Sequence, residues 1–254
     1  MIQLNEANYH SLEANKAYMG STQFKDFWSC SAAALAMVRG EWQEDEKDAY
    51  LVGNYFDAHF SGTMNEFLEQ HPEVYSKKTG KLYEDYEKAN RAIQRCEKDP
   101  LFLKYVSGLH QVIMTGKIAG VRVKIKVDSL HPDKIVDMKY MKDFRPVWTD
   151  EGKMPFVEAY GYDISGAIYQ EVVRQNVKKR LPVVLACATK ETHTNIDLFG
   201  IPQGRLDYCL DIVKRHAPEY SEIKLGIQDP YRCEKCEYCR ATKVLTGPVP
   251  YDSI

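Results

Sequence analysis

The sequence predicts an α/β fold in which a central mixed sheet is flanked by helices. Three observations support this fold class. The chain has 254 residues, of which 44% are hydrophobic, so it is long enough to bury one sizeable core. Residues 121–128 alternate between apolar and polar side chains, which is the period-two pattern of a strand with one buried face. Residues 160–180 instead repeat apolar side chains near the helical spacing.

The predicted elements follow one another as helices, a β-hairpin, a helix, two strands and a last helix. Apolar spacing and capping signals place the helices, and apolar runs between chain breakers place the strands. The expected helices cover residues 21–39, 43–60, 64–69, 83–96, 160–180 and 203–215, and the expected strands cover residues 121–128, 134–140, 182–188 and 194–199. The length and hydrophobic content suit one core, so we expect residues 1–254 to form one domain, and no internal repeat is found.

The hairpin carries the first group of candidate functional residues. Its first strand turns valine and isoleucine side chains to one face, so Asp128 lies on the opposite face. Pro132 fixes its own φ and donates no backbone hydrogen bond, so the chain is expected to turn within residues 129–133. Asp137 and Lys139 then share one face of the second strand, roughly 6.5 to 7 Å apart along the chain.

Two carboxylates and a lysine in this arrangement predict phosphodiester hydrolysis. Asp128 and Asp137 offer the oxygen ligands that Mg²⁺ or Mn²⁺ prefers, and such an ion makes water nucleophilic near neutral pH. Lys139 would add a positive charge beside the attacked phosphate or orient the attacking water. The alternative is surface charge on a half-exposed hairpin, because the same acid-x-lysine spacing recurs at Asp45/Lys47, Glu151/Lys153 and Glu222/Lys224.

Three closely spaced cysteines near the C-terminus predict a metal site. They form two successive Cys-x-x-Cys steps, which can present three thiolates to one centre from a tight loop, at Cys233, Cys236 and Cys239. The spacing alone does not choose a fourth ligand among Cys30, Cys96, Cys187 and Cys209. An odd total of 7 cysteines fits thiolate–metal chemistry in a reducing compartment better than a disulfide framework.

The charge balance restricts how the chain can bind nucleic acid. A formal net charge of −2 argues against coating DNA by bulk electrostatics, so any contact requires a local basic surface. Arg122, Lys124 and Lys126 are expected to supply part of it, because they share the Asp128 face of the first hairpin strand. The sequence shows no membrane-spanning apolar run and no signal-peptide pattern at its amino terminus, so we expect a cytoplasmic protein.

The hairpin, with Asp128 followed by Asp137-Met138-Lys139, resembles the core motif of the PD-(D/E)xK nuclease superfamily. The surrounding chain is similar to the phage-type RecE-like exonucleases, and the similarity spans most of the sequence. This resemblance implies a restriction-endonuclease-like α-β-β-β-α-β core with helices covering a central mixed sheet.

The same resemblance implies a ligand set for the cysteine site. In iron–sulfur members, such as the AddB-like nucleases, one early cysteine joins three late ones. By that resemblance Cys30 completes a [4Fe-4S] cluster with the three cysteines of residues 233–239, which would return to the N-terminal helix. The late cysteines are spaced more tightly than is usual for iron–sulfur nucleases, and a zinc ion held by the same four thiolates is the alternative.

Two further candidate residues come from the resemblance. Residues 51–60 are similar to the helix that carries a metal-proximal histidine in many RecB-like nucleases. Asp57 stands at that position and can reach a cation directly or through water. Residues 160–180 resemble the helix of the Gln-x-x-x-Tyr signature, in which Tyr169 matches the tyrosine and Ser165 replaces the glutamine.

Together these residues predict a metal-dependent deoxyribonuclease. Its catalytic residues would be Asp128, Asp137, Lys139 and Tyr169, with Asp57 as an additional metal ligand. The resemblance implies a 5′-to-3′ double-stranded DNA exonuclease of phage or prophage recombination, a ring-shaped homo-oligomer and a single-strand annealing protein as partner. The alternatives are a DNA-binding or scaffold protein that keeps the fold and a structural metal without cutting, and a zinc-dependent regulatory protein with no DNA role.

Overall fold

The structure, a computed structural model, describes residues 2–43, 48–150, 152–245, 247–248 and 250. Helices come first: α1 (Leu12–Ala17), α2 (Ser21–Arg39), α3 (Asp48–Ser61), α4 (Met64–Gln70), a 3₁₀ turn (Pro72–Val74), α5 (Glu84–Glu97) and α6 (Pro100–Val106). Strands follow: β1 (Leu109–Ile118), β2 (Val121–Leu130), β3 (Ile135–Met141), β4 (Val147–Thr149) and β5 (Gly152–Met154). The remaining elements are α7 (Phe156–Ala159), α8 (Tyr162–Val177), β6 (Val183–Thr189), β7 (Ile196–Gly200), α9 (Gln203–Leu225) and α10 (Glu237–Ala241).

A five-stranded mixed sheet runs through the molecule in the order β1-β2-β3-β6-β7. Strands β3 and β6 are parallel, and the other neighbouring pairs are antiparallel. Helix α8 lies in the connection between β3 and β6, because parallel neighbours require a long crossover. The predicted α/β class with a central mixed sheet is therefore confirmed.

Helices cover both faces of this sheet. On β3, Ile135 belongs to a core built with α2, α8 and α9, whereas Val136 and Met138 belong to a core built with α3, α5 and α6. Successive strand side chains point to opposite faces, so burial of consecutive residues requires cover on both sides. The two cores share one sheet, and the extent of the domain over residues 1–254 stays a prediction. Among the described helices, none combines the length and apolar character that a bilayer-crossing segment requires.

Strand β1 is the main element that the sequence pattern did not predict. It lies at the sheet edge, and of its ten residues only Ile118 is buried, so its apolar and polar positions contrast weakly. It forms the long hairpin with β2. The predicted pairing of β2 with β3 exists but covers only Ser129↔Val136 and Leu130↔Ile135.

The boundaries of α9 and α3 differ from the prediction. Helix α9 continues past Pro218 to Leu225, because Tyr220 and Ile223 beyond the proline are buried in the core. The helix predicted over residues 43–60 begins at Asp48, and its predicted positions 44–47 lie outside the described residues. Helix α6, which starts with Pro100 after the capping Asp99, was also not predicted.

The expected basic face of β2 is only partly exposed, which corrects the prediction for Lys124. That side chain is buried beneath the N-terminal segment, where its ammonium group donates to Asn15 Oδ1 at 2.7 Å and to the Tyr9 carbonyl. Arg122 stays exposed and Lys126 is half-buried. Sequence periodicity places side chains on a face but does not show which distant segment covers that face.

Candidate active site

The candidate active site lies where β2 and β3 separate. Continued pairing would place Asp128 directly opposite Asp137, and like charges in that position destabilise a ladder. The strands instead diverge, and Asp128 Oδ2 accepts a hydrogen bond from the Met138 amide at 2.8 Å. Met19 pairs with β2 beside this gap, since its amide donates to the Arg122 carbonyl at 2.9 Å. The gap brings the two predicted carboxylates to one place.

Asp137 and Lys139 lie side by side on β3, as their spacing predicted. Lys139 Nζ lies 2.6 Å from Asp137 Oδ2 and donates to the Met138 carbonyl at 2.9 Å. Within the described residues, the Lys139 ammonium group is the close partner of the buried Asp137 Oδ2 atom, which has no further hydrogen-bond partner. A buried carboxylate oxygen that faces a lysine, beside a second carboxylate, is a ligand set that suits a hard divalent cation. These residues therefore fit the predicted Mg²⁺ or Mn²⁺.

The carboxylates of Asp128 and Asp137 favour positive charge at the candidate active site. Burial, followed by the negative charge of Asp137, raises the pKa of Asp128 from 3.8 to about 7. Burial opposes the charged form of Lys139, but the carboxylates of Asp137, Asp128 and Asp57 outweigh it and hold the lysine pKa well above its ordinary value. A cluster with more acids than bases binds an added cation more readily than either carboxylate would alone.

Asp57 lies on α3 near the same carboxylates. Burial, and then the charge of Asp128, hold its pKa well above the ordinary aspartate range. Its oxygen does not join Asp128 and Asp137 in a tight ligand set, because within the described ranges only a group of cysteines brings three or more ligand atoms within 4.8 Å of one another. Direct ligation of a cation by Asp57 stays a prediction. Ligation through a bridging water would require a smaller movement of Asp57 toward the cation, because the water spans part of the distance.

Helix α8 contributes Tyr169 but no glutamine. Burial, and then the charges of Asp137 and Asp128, raise the pKa of Tyr169 well above 10, so its hydroxyl stays protonated beside the carboxylates. Ser165 is buried and donates to the Gly161 carbonyl at 3.3 Å. Gln170 is held elsewhere, since it donates to the Leu181 carbonyl at 2.8 Å and exchanges hydrogen bonds with the Gln203 amide.

Lys25 and Tyr162 are neighbours of the site that sequence reasoning missed. The ammonium groups of Lys25 and Lys139 lie 5.9 and 5.3 Å from the centroid of the Tyr162 ring, which is within cation–π range. Burial, and then the charge of Lys139, lower the pKa of Lys25. The Lys25 stem packs against Gly161, whose φ is +61° and where a Cβ would lie 2.8 Å from Lys25 Cδ. No local pattern indicates this contact, because the partners are far apart in the sequence.

The cysteines form a second, separate group. The Sγ atoms of the predicted four cysteines all lie within 4.8 Å of one another, so Cys30, Cys233, Cys236 and Cys239 could hold a metal. Cys96, Cys187 and Cys209 are buried outside this group. The cysteine-rich segment returns to α2, where the Ala32 amide donates to the Tyr231 carbonyl at 2.9 Å.

Local geometry explains how α2 supplies a cysteine to this group. Cys30 leaves helical geometry, with φ of −158° and ψ of 99°, and its Sγ lies 3.6 Å from Cys239 Sγ. Burial opposes ionisation of Cys233, but hydrogen bonds from the Lys235 and Cys236 amides outweigh it and lower the Cys233 pKa to about 6. The thiolate form of Cys233 is therefore accessible near neutral pH, whereas burial raises the pKa of Cys30 and raises the pKa of Cys236 to about 12.

Comparison with known proteins agrees with this geometry. Residues 20–242 match the family described as a PDDEXK-like domain of unknown function, DUF3799. A crystal structure from Eubacterium rectale, of a protein provisionally named an exonuclease, is 39% identical with a TM-score of 0.94 and covers 98% of this chain and 97% of that chain. A second structure, SSO0001, is 12% identical with a TM-score of 0.31 over 86% of this chain and 91% of that chain. The comparison with curated proteins found no match.

The family match and the Eubacterium rectale relative confirm the resemblance to the PD-(D/E)xK nucleases. The match extends from the start of α2 to the last of the four clustered cysteines and beyond it. The chain therefore belongs to the PDDEXK-like DUF3799 family.

Proposed function

We propose that this protein is a divalent-metal-dependent deoxyribonuclease, and more narrowly an exonuclease of double-stranded DNA. Membership of a PDDEXK-like family and the similarity to a protein provisionally named an exonuclease support a nuclease. One observation carries the metal-dependent assignment. It is the buried Asp137 carboxylate, which lies beside Asp128 and whose Oδ2 atom has the Lys139 ammonium group as its close partner at 2.6 Å.

Each residue has a distinct part in this proposal. Asp128 and Asp137 would hold Mg²⁺ or Mn²⁺, with Asp57 as a further ligand, and the ion would supply Lewis acidity at the attacked phosphate. Lys139 is held by Asp137 at 2.6 Å and directs its charge to the developing anion or orients the attacking water. Tyr169, which keeps its proton, donates a hydrogen bond toward a phosphate oxygen.

The finer features of the proposal come from the resemblance to RecE-like enzymes. They are 5′-to-3′ polarity, action in phage or prophage recombination, a ring-shaped homo-oligomer and a single-strand annealing partner. A cytoplasmic location is part of this proposal, because DNA is available there and because the reducing cytoplasm would keep the 7 cysteines of the chain as thiols.

Digestion of end-labelled DNA tests the proposal. Linear duplex DNA labelled at the 5′ or the 3′ end is incubated with the protein and Mg²⁺, next to closed circular DNA and an EDTA control. We expect mononucleotides or short fragments from the linear substrate, early release of the 5′ label, and no cleavage of the circle or in EDTA. Cleavage of the circle would refute the exonuclease assignment, and cleavage in EDTA would refute metal dependence.

A non-cleaving DNA-binding protein is the second candidate. The commitment of Gln170 to Gln203 and Leu181 favours it, because no glutamine of α8 contacts the candidate site. Such a protein would retard linear DNA in a gel, release no nucleotides, and behave the same after replacement of Lys139. The digestion assay and a mobility shift on the same sample separate the two candidates.

Replacing Lys25 by methionine tests whether its ammonium group, the second positively charged side chain near the site, contributes to cleavage. We expect cleavage to fall by about 10-fold or more, because a positive charge beside the bound phosphate is lost. The melting temperature should change little, since methionine keeps the apolar stem that packs on Gly161. Initial rates and thermal melts are compared with Lys16→Met, an exposed lysine on α1. Equal rates for the wild type and the Lys25 variant would remove Lys25 from the site.

A further inference from the structure

We propose that the four clustered cysteines hold a single tetrahedral Zn²⁺ ion and not the [4Fe-4S] cluster that the resemblance implies. The proposal concerns Cys30, Cys233, Cys236 and Cys239, and it does not depend on nuclease activity. Four thiolates from one chain with no open position are typical of a structural zinc site.

The spacing of the sulfur atoms carries this inference. In a tetrahedral site with metal–sulfur bonds of about 2.3 Å, neighbouring sulfurs lie about 3.8 Å apart. Here Cys30 Sγ lies 3.6 Å from Cys239 Sγ, and all four sulfurs lie within 4.8 Å of one another. One ion at the centre of this group would reach every thiolate with small side-chain adjustments.

A four-iron cluster needs a larger cage. Each thiolate binds a different iron at a corner of the cube, so the four cysteine sulfurs lie on the order of 6 Å apart. Four irons and four sulfides would have to fit among sulfurs that are at most 4.8 Å apart here. Accepting the cluster would move Cys30 away from Cys239, although both side chains are packed against Ala32 and Ala33 in a small apolar core.

Backbone hydrogen bonds support thiolates in this compact arrangement. The Cys236 amide donates to Cys233 Sγ at 3.3 Å, and the Cys239 amide donates to Cys236 Sγ at 3.4 Å. Cys30 and Cys239 are 3% and 0% exposed, so water does not compete for the inner side of the site. Arg232 donates to the Cys239 carbonyl at 2.9 Å and thereby helps fix the loop.

The proposed ion would join distant parts of the chain. Cys30 on α2 and Cys239 on the last helix are 209 residues apart, and α2 also carries Lys25 near the candidate active site. Metal binding that links such segments contributes directly to the stability of the folded chain. Loss of the ion would release the C-terminal segment from the non-helical turn at Cys30.

Metal analysis of the full chain tests the proposal. The protein is produced in iron-rich, zinc-limited medium and purified without oxygen and without a metal-binding tag. We expect about one zinc per chain, no acid-labile sulfide and a colourless sample. Exchange with Co²⁺ should give the intense red-region bands of a tetrahedral tetrathiolate site. About four irons per chain with sulfide, a single iron, or protein without metal would each overturn the proposal.

Cysteine variants locate the ion. Cys233→Ser should lose most of the bound zinc, whereas Cys96→Ala should keep it, because Cys96 is buried in the core on the other side of the sheet. The zinc-depleted protein should melt on the order of 10 °C lower, and added Zn²⁺ should restore the midpoint. Retention of zinc by Cys233→Ser would refute the assignment. If that variant does not fold, the Co²⁺ spectrum of the unmodified chain decides.

Discussion

Replacement of Lys139 by methionine is expected to abolish most DNA cleavage and to destabilise the protein at the same time. The rate should fall by about 10²- to 10³-fold, because the ammonium group held 2.6 Å from Asp137 no longer offsets charge in the transition state. The free energy of unfolding should fall by on the order of 2 kcal/mol, reduced from the full cost of breaking a buried pair because the lysine is 23% exposed.

The two effects of this substitution respond differently to Mg²⁺. A divalent cation neutralises the carboxylates that lose their lysine partner, so Mg²⁺ should raise the melting temperature of Lys139→Met more than that of the wild type. It should not restore cleavage. Rates and thermal melts with and without Mg²⁺ measure both effects, and Lys142→Met, an exposed lysine just after β3, is the matched control. Wild-type rates in the Lys139 variant would exclude the proposed nuclease mechanism.

Replacement of Asp128 by asparagine is expected to remove cleavage while stabilising the protein above neutral pH. Burial and the charge of Asp137 raise the pKa of Asp128 to about 7, above its ordinary value of 3.8. The folded chain therefore retains a proton that the unfolded chain loses, so the contribution of Asp128 to stability is present below about pH 4 and is lost as the pH rises to about 7. Asparagine still accepts the Met138 amide hydrogen bond but carries no charge.

Urea unfolding in EDTA between pH 4 and pH 8 measures this effect. At pH 8 the variant should be more stable than the wild type by about 1 to 2 kcal/mol, and the difference should shrink toward pH 4. Cleavage with Mg²⁺ should fall at least about 10²-fold, because one metal-binding carboxylate is lost. Asp133→Asn serves as the control, since that carboxylate is exposed and paired with Lys134. A variant that is less stable than the wild type at pH 8 would show that burial does not strain Asp128.

Local patterns in the sequence predicted much of the fold. The period-two residues of β2, the apolar run of β6 and the helical spacing of α8 lie where they were expected. Strand β1 was missed because an edge strand with one buried residue has little periodic contrast. The length of α9 was underestimated because core contacts of Tyr220 and Ile223 outweigh the local effect of Pro218.

Some features of the candidate site also follow from local sequence, whereas others depend on segments that are distant in the sequence. Strand geometry alone makes Asp137 and Lys139 neighbours. The spacing of the three cysteines in residues 233–239 likewise indicates candidate metal ligands without any information from distant segments. The burial of Lys124 and the approach of Lys25 to Tyr162 depend on segments more than 100 residues away in the sequence. Burial decides their charge and exposure, and no local pattern encodes it.

By itself, the sequence determined the mixed α/β class and the Asp137-Lys139 pair, and it marked the cysteines of residues 233–239 as candidate metal ligands, because each follows from residues that are close along the chain. Only the tertiary structure decided that β2 and β3 diverge at Asp128, that the N-terminal segment covers Lys124, and that the Cys30 sulfur lies within 4.8 Å of the three C-terminal cysteine sulfurs. The physical reason is that these features depend on packing between segments, which sets distances and burial that local periodicity does not contain.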